Sequence, residues 1–299
     1  MLSPQLDFQY VLDPNGRGDY SSLQTLTEAQ DGKSYSALLK SGTYPETGGV
    51  TIDENDCYIF VAPGSTITGA ITISGNGVTL VLGPGCTLSG LITLSGNNIQ
   101  LLMMGGCSLV GIDSTGDDNL VHGGGWGSLS NGDDADGYQV SGTRNRLECI
   151  GVKTTAGGGN GVDGVDATPA GCTYFQAISV YVVDSDQNGM SLQRDDQEAE
   201  GCYVAGADSQ GINSNGARSR RTGNYIIATG NSGIQFDSSG DDSIATGNIV
   251  KDPGTDPIKI EAACENNVAS GNRTDGAISD SSGTSTPATM SDNNDETAF

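Results

Sequence analysis

The chain has 299 residues, 46 of them glycine, and sets 37 acidic against 13 basic side chains for a formal charge of −24. With no basic stripe to release counterions, that charge excludes nucleic acid as a partner and disfavours an acidic polysaccharide unless a cation bridges it. No stretch is long and apolar enough for a membrane helix, and one histidine without any C-x-x-C excludes an ordinary zinc site.

Residues 1–42 read as an N-terminal cap. MLSPQLDFQY lacks a basic region followed by an apolar run, so no signal peptide is expected. Arg17-Gly18-Asp19 reads as a turn and not as a receptor tripeptide. Ser21 and Gln24 form an S-x-x-Q capping box ahead of Leu23, Leu26 and Ala29 at helical spacing, with Gly32 as a stop. The short helix this predicts would cover the end of a stack that otherwise exposes apolar side chains and unpaired strand groups.

From residue 43 the chain repeats itself. Gly64–Pro84 (GSTITGAITISGNGVTLVLGP), Gly85–Gly105 (GCTLSGLITLSGNNIQLLMMG) and the segment opening at Gly106 overlay at a period of 21 residues. Apolar columns run Ile67, Leu88, Leu109 and Val78, Ile99, Leu120, and a corner column holds Asn55, Asn76, Asn97 and Asp118. A fixed period in the twenties built from short alternating strands marks a solenoid. Cys86 and Cys107 share a column and Cys57 takes the Val78 and Ile99 slot, so the seven cysteines read as small buried apolar residues and not as a disulfide framework. His122 aligns with Leu101 and Leu80, which makes it an inward or corner residue and not a general base.

Residues 126–172 interrupt the pattern with two Gly-rich loops around RNRLECIGV, a strand that rejoins the wall. Asp133, Asp134 and Asp136 are oxygen donors suited to calcium, and Asp163 lies in a segment, 158–166, that fits the calcium-binding nonapeptide pattern once. A solvated loop is the competing reading, and no cofactor is assigned. Regularity returns over 173–272 at a period of 22 to 24, with phrases NGMSLQ, QGINSN, SGIQFD and DPIKIE. Strand alternation turns Gln193, Asn215, Asp237 and Glu261 outward in one column, with Gln235 and Lys259 two positions earlier. These six are the candidate glycan-binding residues. Asp237 and Glu261 are also the candidate catalytic carboxylates, about 5 Å apart as in retaining hydrolases, although ladder neighbours stand side by side and do not flank a sugar. Arg218, Arg220 and Arg221 form the one basic cluster, read as salt bridges to the acidic wall with a β-elimination base as the competing role. Residues 273–299 are a polar tail suited to docking on a neighbouring subunit.

The opening DPNGRGDYSSLQTLTEA, then SGTYPETGGVTI, then Gly-Asn corners and stacked asparagines resemble the pectate-lyase-like superfamily over about residues 14–272. The resemblance implies an all-β fold: a right-handed single-stranded parallel β-helix over 43–272 with a short N-terminal capping helix. Within that superfamily, the missing signal peptide, short helix and polar tail are similar to phage tailspikes and other virion β-helix proteins. That likeness implies a virion structural protein made in the host cytoplasm, homotrimeric, assembled with other virion proteins and contacting a host surface glycan. Two alternatives stay open, a polysaccharide depolymerase (lyase or glycoside hydrolase) and a non-enzymatic adhesion or cell-structure solenoid. Against the depolymerase, no Gly-His-Gly follows Asp241-Asp242 as in polygalacturonases, and the paired arginines of calcium-dependent pectate lyases are missing.

Overall fold

The computed structural model describes residues 7–124, 126–129, 136–154, 163–262, 264–281, 289–291 and 294–295. Each repeat folds as one turn with three short strands, and equivalent strands of successive turns pair in parallel. Three sheets result. Sheet A has 13 strands from Tyr10–Leu12 to Thr289–Ser291, sheet B has 12 from Thr43–Tyr44 to Asn294–Asp295, and sheet C has 11 from Val50–Ile52 to Ser279–Asp280. Ile71 sits beside Ile92 and Ile92 beside Ile112, in register. The chain is therefore an all-β parallel solenoid, with one short helix among the described residues. The last strands of all three sheets come from the polar tail.

Alternation along each strand puts one set of side chains into the tube and the other outside. Ile52, Ile73 and Leu94 of sheet C and Ile59, Leu80 and Leu101 of sheet A are all 0% exposed. Each turn's apolar face is thus buried only by its neighbours, the nearest-neighbour energetics of a solenoid. The glycines of NGM, QGI and SGI sit where sheet C begins against side chains of sheet B. A Cβ on Gly189, Gly211 or Gly233 would collide with Val204, Ile226 or Val250, respectively.

The helix spans Leu23–Ala29 and packs Leu23 and Leu26 over the Val50–Ile52 strand. Its N-cap is Ser22, one residue later than the sequence pattern suggests, and the Ser22 hydroxyl accepts from the Thr25 N–H. Gln24 does not close a capping box. It donates to Glu28 Oε1 at 2.8 Å, while buried Glu46 takes the Leu23 N–H at 2.6 Å. Asp19 of the Arg-Gly-Asp tripeptide is tied to Val11, accepting its N–H at Oδ2 and donating its own N–H to the Val11 carbonyl.

The third full turn is one residue shorter than the strict period, because two residues lie between Leu109 and Ile112 where three lie between Leu88 and Ile92. Gly111 takes the place of Leu91, accepting the Ile92 N–H as Leu91 accepts that of Ile71. Three sequence columns shift as a result. Leu120 stands outward beside Gln100, and Asn119 takes the inward slot after Val78 and Ile99. Asp117, and not Asp118, follows Asn97 in the corner ladder, where each side-chain oxygen accepts the N–H one turn on. His122 lies outward beside Leu102, and its Nδ1 is 2.9 Å from Glu148 Oε2.

Interior asparagines replace apolar residues at the turn between sheets A and B. The Asn224 N–H donates to Asn248 Oδ1 and the Asn248 N–H to Asn272 Oδ1, both at 2.9 Å, and all three side chains are buried. The seven cysteines are free thiols, and all but Cys149 are buried. Burial pushes the Cys202 thiol up to about 11 and the Cys172 thiol up to about 12.

Candidate functional site

The outer wall of sheet C gathers the residues that carry chemistry. In its strands from Met190 to Ile260 the first and third residues point inward, while Ser191, Asn213, Gln235 and Lys259 form an outward column in register. The residue after each strand forms a second column. Asn215, Asp237 and Glu261 are held there by N–H bonds to the carbonyls of Leu192, Ser214 and Phe236 one turn earlier. All six sequence candidates thus lie on one wall.

They fall into separate groups on it. Gln210 donates to Gln235 Oε1 at 3.1 Å, Gln235 donates to Glu261 Oε1 at 3.3 Å, and Lys259 Nζ lies 2.7 Å from the same oxygen. That bond to Glu261 raises the Lys259 ammonium above its ordinary value. Asp237 accepts the Ser238 N–H, Asn215 accepts the Ser239 N–H, and Gln193 donates to Ser191 Oγ. Asp237 and Glu261 thus occupy equivalent positions on adjacent turns, each engaged in its own contacts.

The same wall continues toward the N-terminus as an acidic cluster. The outward column runs Asp113, Gln139, Asp166, Ser191. Beside it Asp136 Oδ1 accepts the Asp163 N–H at 2.8 Å and Asp163 Oδ1 accepts the Asn188 N–H at 2.9 Å. Asp166 accepts from Gln139 Nε2 and from the Thr168 N–H. Asp163 and Asp166 are 7% and 8% exposed. Burial, reinforced by Asp166 and Asp163, pushes the Asp136 carboxyl up to about 7, and burial with Asp166 alongside pushes Asp163 up to about 6. Burial also raises Asp113. Carboxyl groups that titrate near neutrality can both give and take a proton.

Asp136 and Asp163 are the two described members of the calcium donor set expected from sequence; Asp133 and Asp134 lie outside the described residues. Each of the two spends an oxygen on a backbone N–H of the next turn. Among the described residues, no group of three or more His, Cys, Asp or Glu side chains is placed to hold a metal ion. Sequence reading missed Asp113 because it follows the shortened turn after Leu109, and Asp166 because the loops at 126–172 hide the period. The signal was local: Tyr138-Gln139-Val140 and Val165-Asp166-Ala167 carry the same in-out-in pattern as Met190-Ser191-Leu192.

The basic cluster divides. Arg218 grips Asp196 with Nε and Nη2, both at 2.8 Å, and Arg220 reaches Glu198 at 3.4 Å. These are the salt bridges the sequence implied. They line a groove of about 440 Å³ outside sheet A, together with Tyr174, Gln176, Asp242 and Ile244. Arg221 instead points into the tube and is 0% exposed. It donates to the Gln197 carbonyl and to Ser214 Oγ, both at 2.8 Å, and burial pulls it down to about 9. Ser214 and Ser114 are the two buried serines of an otherwise mostly apolar inward column, and each meets a polar side chain inside the tube: Ser214 accepts from Arg221, and Ser114 Oγ accepts from Asn119 Nδ2 at 3.2 Å.

Neither the protein-family models nor the curated proteins include a match to the chain. Among solved structures it is similar to the Dettilon tailspike protein, with 12% identity over 80% of this chain and 56% of that chain and a TM-score of 0.62. It is similar to the A-module of the Azotobacter vinelandii mannuronan C-5 epimerase AlgE6, with 12% identity over 90% and 93% of the two chains and a TM-score of 0.57. A third likeness is to ORF18 of Geobacillus virus E2, with 14% identity over 88% of this chain and 53% of that chain and a TM-score of 0.50. The chain thus spans little more than half the length of the tailspike it matches. At these identities the likeness is one of fold: this chain shares its parallel β-helix with a phage tailspike and with a polysaccharide epimerase module.

Proposed function

We propose that this chain is a structural β-helix on the surface of a phage-like virion, in a spike, fibre or capsid-surface element, and that it holds a host surface glycan along the wall of sheet C. The observation that carries the glycan contact is the column of polar side chains in register from Asp113 to Lys259, covered at Asp166 and Ser191 and open at Gln139, Asn213, Gln235 and Lys259. At about 4.8 Å per turn this column runs for roughly 30 Å, room for a short oligosaccharide laid along the axis. The charge of −24 selects neutral sugars over acidic ones. The virion assignment is supported by the likeness to the Dettilon tailspike and to a Geobacillus virus protein.

Two measurements test the reading. Mass spectrometry of purified particles should find the chain, and its presence free in cell extracts but absent from particles ends the virion assignment. A neutral-glycan binding screen should give ligands whose affinity drops about tenfold in Gln235→Ala and Asn213→Ala, the loss of one or two hydrogen bonds. Unchanged affinity in both removes the wall as the contact.

A second reading is favoured by one observation. Asp136 and Asp163, at about 7 and about 6, are suited to acid–base chemistry on a polysaccharide. Screening glycans for new reducing ends, unsaturated products or inverted sugar centres tests it. Turnover lost in Asp163→Asn and Asp166→Asn would establish an enzyme, and no turnover on any glycan that binds would dismiss it.

A further inference from the structure

The outer face of sheet B differs from the rest of the surface. Its first outward column, followed strand by strand, runs through Thr43, Thr66, Thr87 and Ser108, and then through Gly151, Tyr181, Tyr203, Tyr225, Ile249 and Arg273. The register places Trp126 between Ser108 and Gly151 and continues past Arg273 to Asn294. Not one of these residues is acidic, in a chain with 37 acidic side chains. The second outward column is Lys153, Val183, Ala205, Ile227, Lys251 over the same middle turns. Acidic residues appear only at the margins, as Asp184 and Asp252 at the corner and Asp275 after the last of these strands. Asp184 is already paired with Lys153 at 3.2 Å. The corresponding columns of the other sheets do carry acids, as Asp113 and Asp166 on sheet C and Glu148, Glu198 and Glu200 on sheet A.

The tyrosines stack on one another along the axis. Tyr181 and Tyr203 have ring centroids 4.3 Å apart with planes 5° from parallel, and Tyr203 and Tyr225 are 5.6 Å apart at 4°. Four of the six ring faces are spent on each other, so most of the surface they offer is ring edges and hydroxyls. A sugar stacks on an aromatic face and finds little here. Another protein surface packs well on edges flanked by Val183 and Ile227.

We propose that this face is where copies of the chain associate side by side. A partner surface with a charge near −24 is repelled by the acid-bearing turns of sheets A and C, and sheet B is the flank whose leading column meets a like-charged copy without facing carboxylates along its whole length, whereas that of sheet A is free of acids only over its first turns, up to Gln176, and then holds Glu198. The stacked tyrosines with Val183, Ala205, Ile227 and Ile249 form an apolar centre, and Thr66, Thr87 and Ser108 extend it as an uncharged rim. Twelve strands at about 4.8 Å make the face roughly 50 Å long, enough for an interface of ordinary size. The inference is independent of glycan binding, which uses sheet C.

Sedimentation velocity on the full chain across a concentration series, with and without 150 mM salt (about one 8 Å Debye length), tests the proposal. The wild type should sediment as an assembly of two or more chains. Tyr203→Glu or Thr87→Glu, each placing a carboxylate in the column, should weaken assembly by on the order of 100-fold, because an unpaired charge is buried. Thr246→Glu, outward on sheet A, should leave it unchanged. Thr87→Glu sits on the uncharged rim and keeps the test alive if Tyr203→Glu does not fold. A wild type that is monomeric at every concentration overturns the proposal, and so does an assembly indifferent to both carboxylates.

Discussion

The interior asparagine ladder makes a quantitative claim about what holds the second half of the tube together. Asn248 is 0% exposed. Its Oδ1 accepts both the Asn224 N–H and Asn224 Nδ2 at 2.9 Å, and its Nδ2 donates to the Arg221 carbonyl at 2.8 Å. In Asn248→Ala the Asn224 N–H loses its acceptor and the Arg221 carbonyl loses a donor, both in the dry interior. An orphaned buried group costs about 1–3 kcal/mol, so the substitution should cost about 2–5 kcal/mol. Thr246→Ala, outward on the same turn, is the control and should stay within about 0.5 kcal/mol.

Urea unfolding of the two variants measures the difference directly. Hydrogen exchange locates it. In a solenoid each turn leans only on its neighbours, so protection should fall around residues 219–272 and persist around Ile71 and Ile92. A cost below about 1 kcal/mol in Asn248→Ala, or a uniform loss of protection along the tube, refutes the view that these amides are structural members and not passengers.

Three further outcomes follow from buried polar groups. Arg221→Met should destabilise the fold by stranding Ser214 Oγ and the Gln197 carbonyl, and adding Ser214→Leu, the residue its column holds at Leu192, should recover stability by on the order of 1–2 kcal/mol; strict additivity in this cycle removes the pairing. Because burial lifts Asp136 to about 7 and Asp163 to about 6, the folded state holds protons that the unfolded state releases, so their contribution weakens as pH rises from near 4 through 7. Asp163→Asn keeps the oxygen that serves Asn188 and should narrow the gap between Tm at pH 5 and pH 8, whereas an unaltered gap contradicts the assignment. Disulfide-exchange titration of the native protein should find one fast thiol, Cys149, and seven after unfolding, and a Cys149→Ser variant that keeps a fast thiol shows that a buried cysteine is reachable.

The tube was legible in the sequence because inward positions repeat a physical requirement. Ile67, Leu88 and Leu109 are small variations on one slot, and their recurrence at a fixed interval is the fold written out. Legibility failed where a single residue was dropped. A turn shortened between Leu109 and Ile112 is harmless to the tube, yet it moved Leu120 and His122 outward and brought Asn119 in. The shift was hidden because Leu120 is itself apolar and fits the Val78 and Ile99 slot by alignment; in the tube Asn119 takes that slot, its Nδ2 donating to the Gly96 carbonyl at 3.1 Å and to Ser114 Oγ at 3.2 Å. Arg221 was harder. Its charge argued for the surface, and only Ser214, a serine where the neighbouring turns hold Leu192 and Phe236, hinted that something polar was inside.

Outward positions obey no such rule, and this is why the wall of sheet C was read only in part. The column from Gln193 to Glu261 was found because regular phrases bracket it, while Asp113 follows the shortened turn after Leu109 and Asp166 lies where loops break the count. Freedom outside the tube also makes outward chemistry informative. The same backbone geometry repeats on all three sheets, so folding alone gives no reason for one face to collect carboxylates and another to exclude them. Sheet C carries buried acids and linked amides, sheet A carries acids held by Arg218 and Arg220, and sheet B carries stacked tyrosines without a single acid in its leading column. A charge of −24 spread evenly would oppose both self-association and a close approach to other surfaces. In the proposed assembly its partition resolves that conflict, since like copies would meet along sheet B while the ligand proposed for sheet C is met on another face.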